Sequence, residues 1–434
     1  MKNIFSIFIF YFLSLNACSQ KNKVTVLNNE HGLQLVVNDT NFIINGMNWD
    51  YFPIGTNYAY SLWEQSDSFI ESALDSEMLL LKKMGVNTIR IYSNIPPKWI
   101  THIYKKFGIY TMLNHSFGRY GLSINGVWLP ETDYSNVEVQ KVLIEQVSKM
   151  AEEYKNTPGL LLYLIGNENN YGLFWAGAET EDFPDDEDKN KKIGENRGRP
   201  MYKLMNDASI QIKEIDDAHP VAICNGDLQY LEIIAQECKD IDIFGTNMYR
   251  GKSFGDAFER VKNELNLPIM FTEFGSDAFN EIEKKVDQKM QAFYMIENWK
   301  EIYENTAGLE KSRNSIGGFT FQFSDGWWKF KQTKNLSIHD TNSSWANGGY
   351  DKDYVEGANN MNEEWFGICA KGATNDKGMY TSYPRAAYYV LKKIHELNPY
   401  KIGTTASVIS KYFNNIDISD ALLKVKKNKI SEFK

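Results

Sequence analysis

The chain has 434 residues, of which 43% are hydrophobic and 24% are charged. This composition is typical of a globular protein, so it excludes disorder, collagen and coiled coil as descriptions of the whole chain. The net charge is -9, which argues against a nucleic-acid binder because such proteins need a basic face. The length suits two or three domains or a single α/β barrel.

The N-terminus predicts a signal peptide over residues 1–17. Lys2 supplies the basic start, and residues 4–15 form an apolar run. That run is too short to span a bilayer stably, and no second run of about 20 apolar residues follows it. We therefore expect these residues to be removed from the folded protein.

The signal peptide ends in Leu15-Asn16-Ala17-Cys18, which resembles the bacterial lipobox. The resemblance implies lipidation of Cys18, with a tether and N-terminal segment over residues 18–39 and membrane contact through lipid alone. The alternative is a plain secretory signal beside a coincidental cysteine. Because Ser19 follows and no acidic export run is present, we expect an outer-membrane anchor facing the periplasm in preference to the cell surface.

Three cysteines remain after Cys18, at positions 224, 238 and 369. Their number is odd and no Cys-x-x-Cys occurs, so neither a disulfide framework nor a zinc site is indicated. One disulfide would be compatible with the count, but buried thiols are the preferred interpretation.

From about residue 40, short β-branched runs alternate with amphipathic helices. Eight strands, most of them followed by a clear helix, predict an α/β fold, a (β/α)₈ barrel over residues 40–398, with a tail over 399–434 whose packing the sequence does not define. A doubly wound sheet is the alternative, but it would need a glycine-rich phosphate turn after the first strand. The predicted strands cover 42–48, 86–92, 109–113, 160–165, 221–224, 241–245, 268–272 and 318–323. The predicted helices cover 70–81, 97–107, 135–150 (opening with a capping box), 201–215, 254–265, 286–303 and 386–397.

Two long loops follow predicted strands four and eight, over residues 174–200 and 325–383. Barrel enzymes build their substrate clefts from such loops. The acidic run over 185–188 is interpreted as a solvated loop, since the spacing of an EF-hand calcium site is absent. The second loop is rich in tryptophan, which suits stacking on a flat ligand.

Two glutamates stand at strand ends. Gly166-Asn167-Glu168-Asn169 ends the fourth predicted strand, and Thr272-Glu273-Phe274-Gly275 ends the seventh. Each carboxylate follows a buried apolar run, at the face where barrel enzymes place their active sites. One such glutamate is a weak signal, whereas a pair on strands four and seven is specific.

This pair resembles the clan of retaining (β/α)₈ glycoside hydrolases that includes family 2 and family 5 enzymes. The resemblance covers residues 40–398. It implies that Glu168 is the general acid/base, that Glu273 is the nucleophile, and that the substrate is a β-linked glucan- or mannan-type oligosaccharide or polysaccharide. No metal or organic cofactor is implied.

The same resemblance assigns four further residues to the site. Arg90 would support the nucleophile, Asn167 would bind the sugar 2-hydroxyl, and Tyr249 of Asn247-Met248-Tyr249 would touch the nucleophile. Trp327, in the segment 317–329, would be a sugar platform. Alternatives remain: a structural ion pair for Arg90, rim packing for Tyr249, and a core role for either Trp327 or its neighbour Trp328.

Four more residues are candidates for lining the cleft because they follow strands one, three and four. Asn114 and His115 compete for one polar role at the end of strand three, and His115 is equally compatible with a satisfied structural histidine. The aromatic candidates are Trp49 and Trp175.

The chemistry of retention supports these roles. It needs two carboxyl groups about 5–5.5 Å apart, one ionised and one protonated. Arg90 would favour the ionised form of Glu273, while partial burial and repulsion from Glu273 would raise the pKa of Glu168. Raising that pKa keeps Glu168 able to protonate the leaving oxygen.

Other functions were weighed against this one. A β-glucanosyltransferase would use the same residues with a sugar acceptor, and a non-catalytic glycan-binding lipoprotein would not need both glutamates. A serine or metal hydrolase is disfavoured because neither Gly-x-Ser-x-Gly nor His-Glu-x-x-His occurs. Residues 24–40 are too few for the β-sandwich that usually precedes family 2 barrels, so we expect a barrel-only or neighbouring member with a short plugging strand or hairpin.

Overall fold

The computed structural model of the chain describes residues 22–92, 94–173, 186–329 and 331–432. Its centre is a closed barrel of eight parallel strands in which each strand pairs with the next, and the eighth pairs with the first through Gly317 and Ile44. This confirms the predicted (β/α)₈ fold. The barrel strands are β1 (Ile44–Asn48), β2 (Thr88–Ile91), β3 (Tyr110–His115), β4 (Leu160–Ile165), β5 (Val221–Gly226), β6 (Ile243–Asn247), β7 (Ile269–Phe274) and β8 (Ser315–Thr320).

The barrel strands are buried on both faces, which is why they read as nearly continuous apolar runs. Every residue of β4 is buried. Leu162 and Leu164 belong to the cluster that fills the barrel interior, whereas Tyr163 and Ile165 pack in the layer between strands and helices. Alternation along the strand therefore builds two apolar layers from one sequence run.

At least one helix follows each barrel strand. The predicted capping box of the third helix is shifted by one residue, because Asn136 and not Ser135 accepts hydrogen bonds from the first backbone N–H groups. The helices are α1 (Asp67–Met84), α2 (Pro97–Phe107), α3 (Val137–Tyr154), α4 (Arg199–Ile215), α5 (Leu231–Glu237), α6 (Ala257–Arg260), α7 (Gln288–Glu304) and α8 (Ala386–Ile394).

Part of the acidic run lies on a helix, not in a loop. Glu187–Ile193 is helical and continues through a π-helical turn, Gly194–Gly198, into α4. Asp186 caps this helix by accepting a hydrogen bond from the backbone N–H of Lys189. An acidic first turn is favourable at a helix N-terminus, which gives these charges a structural role.

The segment before the barrel forms a three-stranded antiparallel sheet of Val24–Asn29, Gly32–Val37 and Thr40–Phe42. Its side chains Leu35 and Val37 join the interior cluster. Its backbone bonds to Ala218 and Arg313, which precede barrel strands. The sheet therefore closes the end of the barrel opposite the two glutamates.

The C-terminal tail packs beside the barrel as two helices, α9 (Ala406–Asn414) and α10 (Ile418–Glu432). Phe413 of α9 meets Tyr303 of α7 edge to face at 5.6 Å, and the Tyr412 hydroxyl donates to the Lys393 carbonyl of α8. No helix within the described residues has the length and apolarity needed to cross a membrane. The three cysteines of this part are buried free thiols, as the sequence analysis favoured.

Smaller strands lie in the loops that follow the barrel strands. A hairpin of Leu122–Ile124 and Val127–Leu129 follows β3, and Phe279–Asn280 pairs with Lys285–Val286 after β7. In the long loop after β8, Cys369–Thr374 pairs with Tyr380–Pro384. These elements lie on the face of the barrel that carries Glu168 and Glu273.

Candidate active site

Glu273 ends β7 with only 8% of its surface exposed, and three donors hold its carboxylate. Arg90 Nη1 lies 3.0 Å from Oε1, and the Tyr92 hydroxyl donates to the same oxygen at 2.5 Å. The Tyr249 hydroxyl donates to Oε2 at 3.1 Å. A cation and two hydroxyls therefore compensate and fix this carboxylate, as an attacking group requires.

Arg90 is itself held by amides. It is fully buried on β2, and its Nη2 donates to Asn114 Oδ1 at 2.8 Å and to Asn167 Oδ1 at 2.7 Å. The Asn114 amide nitrogen donates to the Gly166 carbonyl, which fixes the orientation of that amide. The oxygen of Asn114 is thus directed at the arginine, so Asn114 positions Arg90 through this contact.

Asn167 lies between the arginine and the cleft. Its oxygen accepts from Arg90 and from Asn247 Nδ2, the latter at 3.1 Å, while its amide nitrogen donates to the Tyr120 hydroxyl at 2.8 Å. Because all three partners fix the side-chain amide, Asn167 is preorganised beside Glu168.

Glu168 has different surroundings from Glu273. Its backbone lies in the left-handed region, with φ +56°, and its N–H donates to the Cys224 carbonyl. This conformation is unusual for a non-glycine residue and is concentrated at functional sites. Its Oε1 accepts one hydrogen bond, from Asn247 Nδ2 at 2.9 Å.

The surroundings of Glu168 favour its protonated form. Burial, and then the charge of Glu273, raise the pKa of Glu168 to about 7, while Arg119 and Asn247 act in the opposite direction. An acid with a pKa near the working pH is suited to proton transfer. The two carboxyl groups therefore have different surroundings.

Asn247 joins the two halves of the site. Its amide nitrogen donates to Glu168, and its oxygen accepts from Arg90 Nη1 at 3.3 Å and from the Thr272 hydroxyl at 2.7 Å. Both ends of the amide are therefore fixed by its neighbours. The sequence motif Asn247-Met248-Tyr249 consequently supplies one contact to each catalytic candidate.

Tyr92 is the clearest residue that the sequence analysis missed. Its hydroxyl lies 2.9 Å from Asn48 Oδ1 as well as against Glu273. The Asn48 amide nitrogen donates to two backbone carbonyls, so its oxygen faces the tyrosine. Tyr92 follows Arg90 by two residues, and the two-residue period of a strand would have placed both side chains on one face.

Comparison with known families agrees with the geometry. Residues 31–325 match the family described as glycosyl hydrolases family 2, TIM barrel domain. The chain belongs to this family.

Curated relatives of this family 2 barrel include the 1,3-beta-glucanosyltransferase gel2 of Aspergillus fumigatus, 25% identical over 256 residues, covering 56% of this chain and 47% of that protein. The probable 1,3-beta-glucanosyltransferase GAS3 of Saccharomyces cerevisiae is 30% identical over 132 residues, covering 29% and 23%. The chain thus spans about half the length of gel2 and less of GAS3.

Two solved structures show the same fold at low identity. A GH2 beta-galacturonidase from Eisenbergiella tayi bound to galacturonate has a TM-score of 0.53 at 15% identity, covering 87% of this chain and 55% of that chain. Bacteroides uniformis beta-glucuronidase 2, covalently bound to cyclophellitol-6-carboxylate aziridine, has a TM-score of 0.54 at 15% identity, covering 86% and 37%. At this identity the likeness concerns the fold alone.

The remaining residues that the sequence predicted for the site lie in different parts of the family 2 barrel. Trp49 is only 1% exposed, and its indole N–H donates to Glu77 of α1 at 2.7 Å, so the structure does not bring it to the carboxyl pair. His115 is half-buried, and its Nδ1 accepts from the Phe117 N–H. Burial lowers the pKa of His115 to about 4, which makes it a neutral residue near neutral pH. Trp175 and Cys18 lie outside the described residues.

Trp327 is half-buried and stacks on His339, with ring centroids 4.9 Å apart and planes 6° apart. His339 stacks in turn on Trp365 at 3.7 Å. Trp328 instead meets Phe52 and Tyr58 edge to face. The two neighbouring tryptophans therefore have separate aromatic partners, and the stack fixes the plane of Trp327.

Proposed function

We propose that the chain is a retaining glycoside hydrolase of β-linked glucan- or mannan-type chains. The observation that carries this proposal is the contrast between a carboxylate held by a cation and two hydroxyls and a nearby carboxyl whose pKa is raised to about 7. One glutamate is thereby prepared to attack and the other to donate a proton.

In the first step, a Glu273 carboxylate oxygen attacks the anomeric carbon. The bond from that carbon to the glycosidic oxygen breaks, and Glu168 gives its proton to the departing oxygen. The product is a glycosyl ester of Glu273 together with a free alcohol. Arg90 and the two tyrosines orient the attacking carboxylate, and Asn167 would hold the sugar 2-hydroxyl.

In the second step, the ionised Glu168 removes a proton from water as the water oxygen attacks the anomeric carbon. The ester bond breaks, Glu273 returns as a carboxylate and Glu168 as an acid. Two inversions leave the configuration of the sugar unchanged. No step requires a metal or an organic cofactor.

The second candidate is a β-glucanosyltransferase, and the similarity to two proteins named as 1,3-beta-glucanosyltransferases favours it. In this reaction the hydroxyl of another sugar replaces water in the second step. Glu168 and Glu273 keep the same roles, so the nature of the acceptor alone separates the two functions.

Product analysis tests both candidates. Wild type and Glu273→Ala would be incubated with β-1,3-glucan, β-1,4-glucan, mannan and galactan oligosaccharides, with the anomer of each new reducing end followed by proton NMR. We expect wild type to release β-configured ends first from one chain type and the variant to release none. Products longer than the substrate would identify the transferase. Cleavage with inverted configuration, or binding without cleavage, would contradict retaining hydrolysis.

For the location we propose a lipid anchor at Cys18 in the outer membrane of a bacterial cell, with the catalytic domain facing the periplasm. The lipobox-like sequence and the polar residues after it support this proposal. In cells fed an alkyne fatty acid, wild type should carry the label in the outer-membrane fraction, while Cys18→Ser should not be labelled. Labelling of the variant would place the lipid elsewhere.

A further inference from the structure

The hairpin that follows β3 exposes large side chains to solvent. Trp128 is 58% exposed and Val127 is 62% exposed, although the opposite strand is anchored by Leu122, which is buried in the main core. Ile124 also packs against that core. Because its first strand is anchored, the hairpin presents its tryptophan at a defined position on the rim of the catalytic face.

Gly121 fixes the position of this tryptophan. Its φ is +96°, and a Cβ added there would lie 2.7 Å from Trp128 Cζ2. The indole therefore lies directly on the glycine backbone, where a side chain would displace it. Gly121 therefore serves two purposes: its backbone adopts a conformation that favours glycine, and the exposed Trp128 ring packs against it.

Tyr120, the residue before this glycine, connects the hairpin to the catalytic centre. Its hydroxyl accepts from Asn167 Nδ2 at 2.8 Å, while 43% of its surface is exposed. The Arg119 guanidinium lies over its ring, 5.3 Å from the centroid, and limits how the ring can turn. Tyr120 consequently links Asn167, the residue before Glu168, to the glycine on which the Trp128 ring lies.

We propose that Tyr120 and Trp128 form a platform that binds sugars of the substrate chain beyond the ring at the cleaved bond. The Tyr120 hydroxyl bonds to Asn167, and the Trp128 ring lies against Gly121, the residue that follows Tyr120, so both aromatic side chains stand on the loop that leaves Asn167. The C–H face of a pyranose packs on an indole, and an exposed tryptophan gains by this burial. This inference rests on the proposed function and deepens it, because it makes a chain, and not a single sugar, the preferred substrate.

The test compares a chain with a short substrate. The probes are a linear β-1,3-linked glucose hexasaccharide and 4-nitrophenyl β-glucoside, and the variants are Trp128→Ala, Trp128→Phe and the matched control Val127→Ala. We expect Trp128→Ala to lower kcat/KM for the hexasaccharide at least tenfold more than for the aryl glucoside, mainly through KM. Trp128→Phe should recover part of this loss, and Val127→Ala should resemble wild type on both substrates.

Equal effects of Trp128→Ala on both substrates, or no effect, would overturn the platform. Self-association of wild type that Trp128→Ala abolishes would also overturn it, since the hairpin would then be a contact between copies of the chain.

Hexasaccharide binding to Glu273→Ala, measured by calorimetry with and without Trp128→Ala, separates the platform proposal from the catalytic proposal. If wild type cleaves nothing but binding depends on Trp128, the catalytic proposal fails and the platform stands. If no binding is detected, the platform fails as well.

Discussion

Glu273 and Glu168 carry the same side chain at neighbouring points of one barrel face, but their surroundings differ. Glu273 receives hydrogen bonds from Arg90, Tyr92 and Tyr249, whereas Glu168 receives one from the Asn247 amide. The first set contains a positive charge in direct contact, and the second does not. Burial therefore acts on two unlike groups. At Glu273 a cation and two hydroxyls replace the lost water, whereas at Glu168 one amide does so.

The comparison shows how one barrel face can hold two carboxyl groups in unlike surroundings. Removing a carboxylate from water favours its neutral form unless charge and donors replace the water. Arg90 replaces it for Glu273, and the resulting carboxylate then helps to raise the pKa of Glu168. The two groups are coupled, because the negative charge of Glu273 helps to keep the proton on Glu168.

The largest expected effect comes from removing the proposed nucleophile. Glu273→Ala should lower kcat at least about 10⁴-fold, because no glycosyl ester can form. Arg90 keeps Asn114, Asn167 and the Thr272 carbonyl as partners, so the variant should remain folded by circular dichroism. Added azide should restore turnover and give an inverted, α-configured glycosyl azide.

Glu259→Ala is the matched control, since Glu259 is exposed on α6. It should retain wild-type activity and gain nothing from azide. Wild-type turnover in Glu273→Ala would remove Glu273 from the reaction. A β-configured azide product would instead assign it the acid/base role.

Removing the proposed acid should have an effect on the rate that depends on the leaving group. Glu168→Ala should lose about 10²–10⁴-fold in rate on an alkyl β-glycoside, where the departing oxygen needs a proton. On a 2,4-dinitrophenyl glycoside, which leaves without one, bond cleavage should be nearly unaffected, and azide should give a β-configured product. Equal losses on both substrates would contradict the assignment.

The pH profile tests the same acid in the wild-type protein. Glu168 must be protonated to act, and its pKa is raised to about 7, so kcat/KM on an alkyl glycoside should fall about tenfold per pH unit above that value. The 2,4-dinitrophenyl substrate should lack this basic limb. A basic limb of equal position and depth on both substrates would assign it to another group.

Much of this site is local in sequence, which is why it could be predicted. A buried apolar run followed directly by Asn167-Glu168, or ending in Thr272-Glu273, marks a barrel strand and its carboxyl end in one short stretch. The eight-strand order follows from the same alternation. Where Phe42 was included in the first strand, the structure instead assigns it to the N-terminal sheet, because its chain pairs with Leu35 before the barrel begins.

The rest depends on contacts between distant parts of the chain. Trp49 follows a barrel strand as a cleft residue would, but its indole N–H donates a hydrogen bond to Glu77 of α1. Asn114 stands where a substrate ligand would, but its oxygen bonds to Arg90. Trp327 acquires its plane from His339. None of these partners is near in sequence, so no local pattern could have indicated them.

The two tyrosines on Glu273 should have smaller and unequal effects. Tyr92 shares Oε1 with Arg90 at 2.5 Å, whereas Tyr249 is the donor to Oε2 at 3.1 Å. We expect Tyr92→Phe and Tyr249→Phe each to lower kcat/KM by roughly 10-fold or more, since each removes one hydrogen bond to a charged group. Pre-steady-state bursts would show whether formation of the ester is slowed.

Tyr92→Phe should be the larger loss, because the Tyr92 hydroxyl makes the shorter contact with Glu273 and also lies 2.9 Å from Asn48 Oδ1. Tyr104→Phe, a hydroxyl deletion on α2, is the matched control and should leave the kinetics unchanged. Wild-type kinetics in both site variants would mean that Arg90 alone fixes the nucleophile.

The smallest expected effect is on thermal stability. It reports the protonation of Glu168 without any substrate or reaction. A carboxyl whose pKa is raised to about 7 in the folded protein, and is about 4.3 when unfolded, stabilises the fold below pH 4.3 relative to its effect at higher pH. That contribution is lost as pH rises from 4.3 through 7, because the unfolded chain releases the proton first.

Glu168→Gln should therefore unfold at a similar temperature to wild type at pH 4 and a few degrees higher at pH 8. Glu259→Gln should show no such trend, since its carboxylate is exposed. A difference that grew as pH fell would mean that the fold holds Glu168 ionised, and the contrast with Glu273 would then fail at its weaker member.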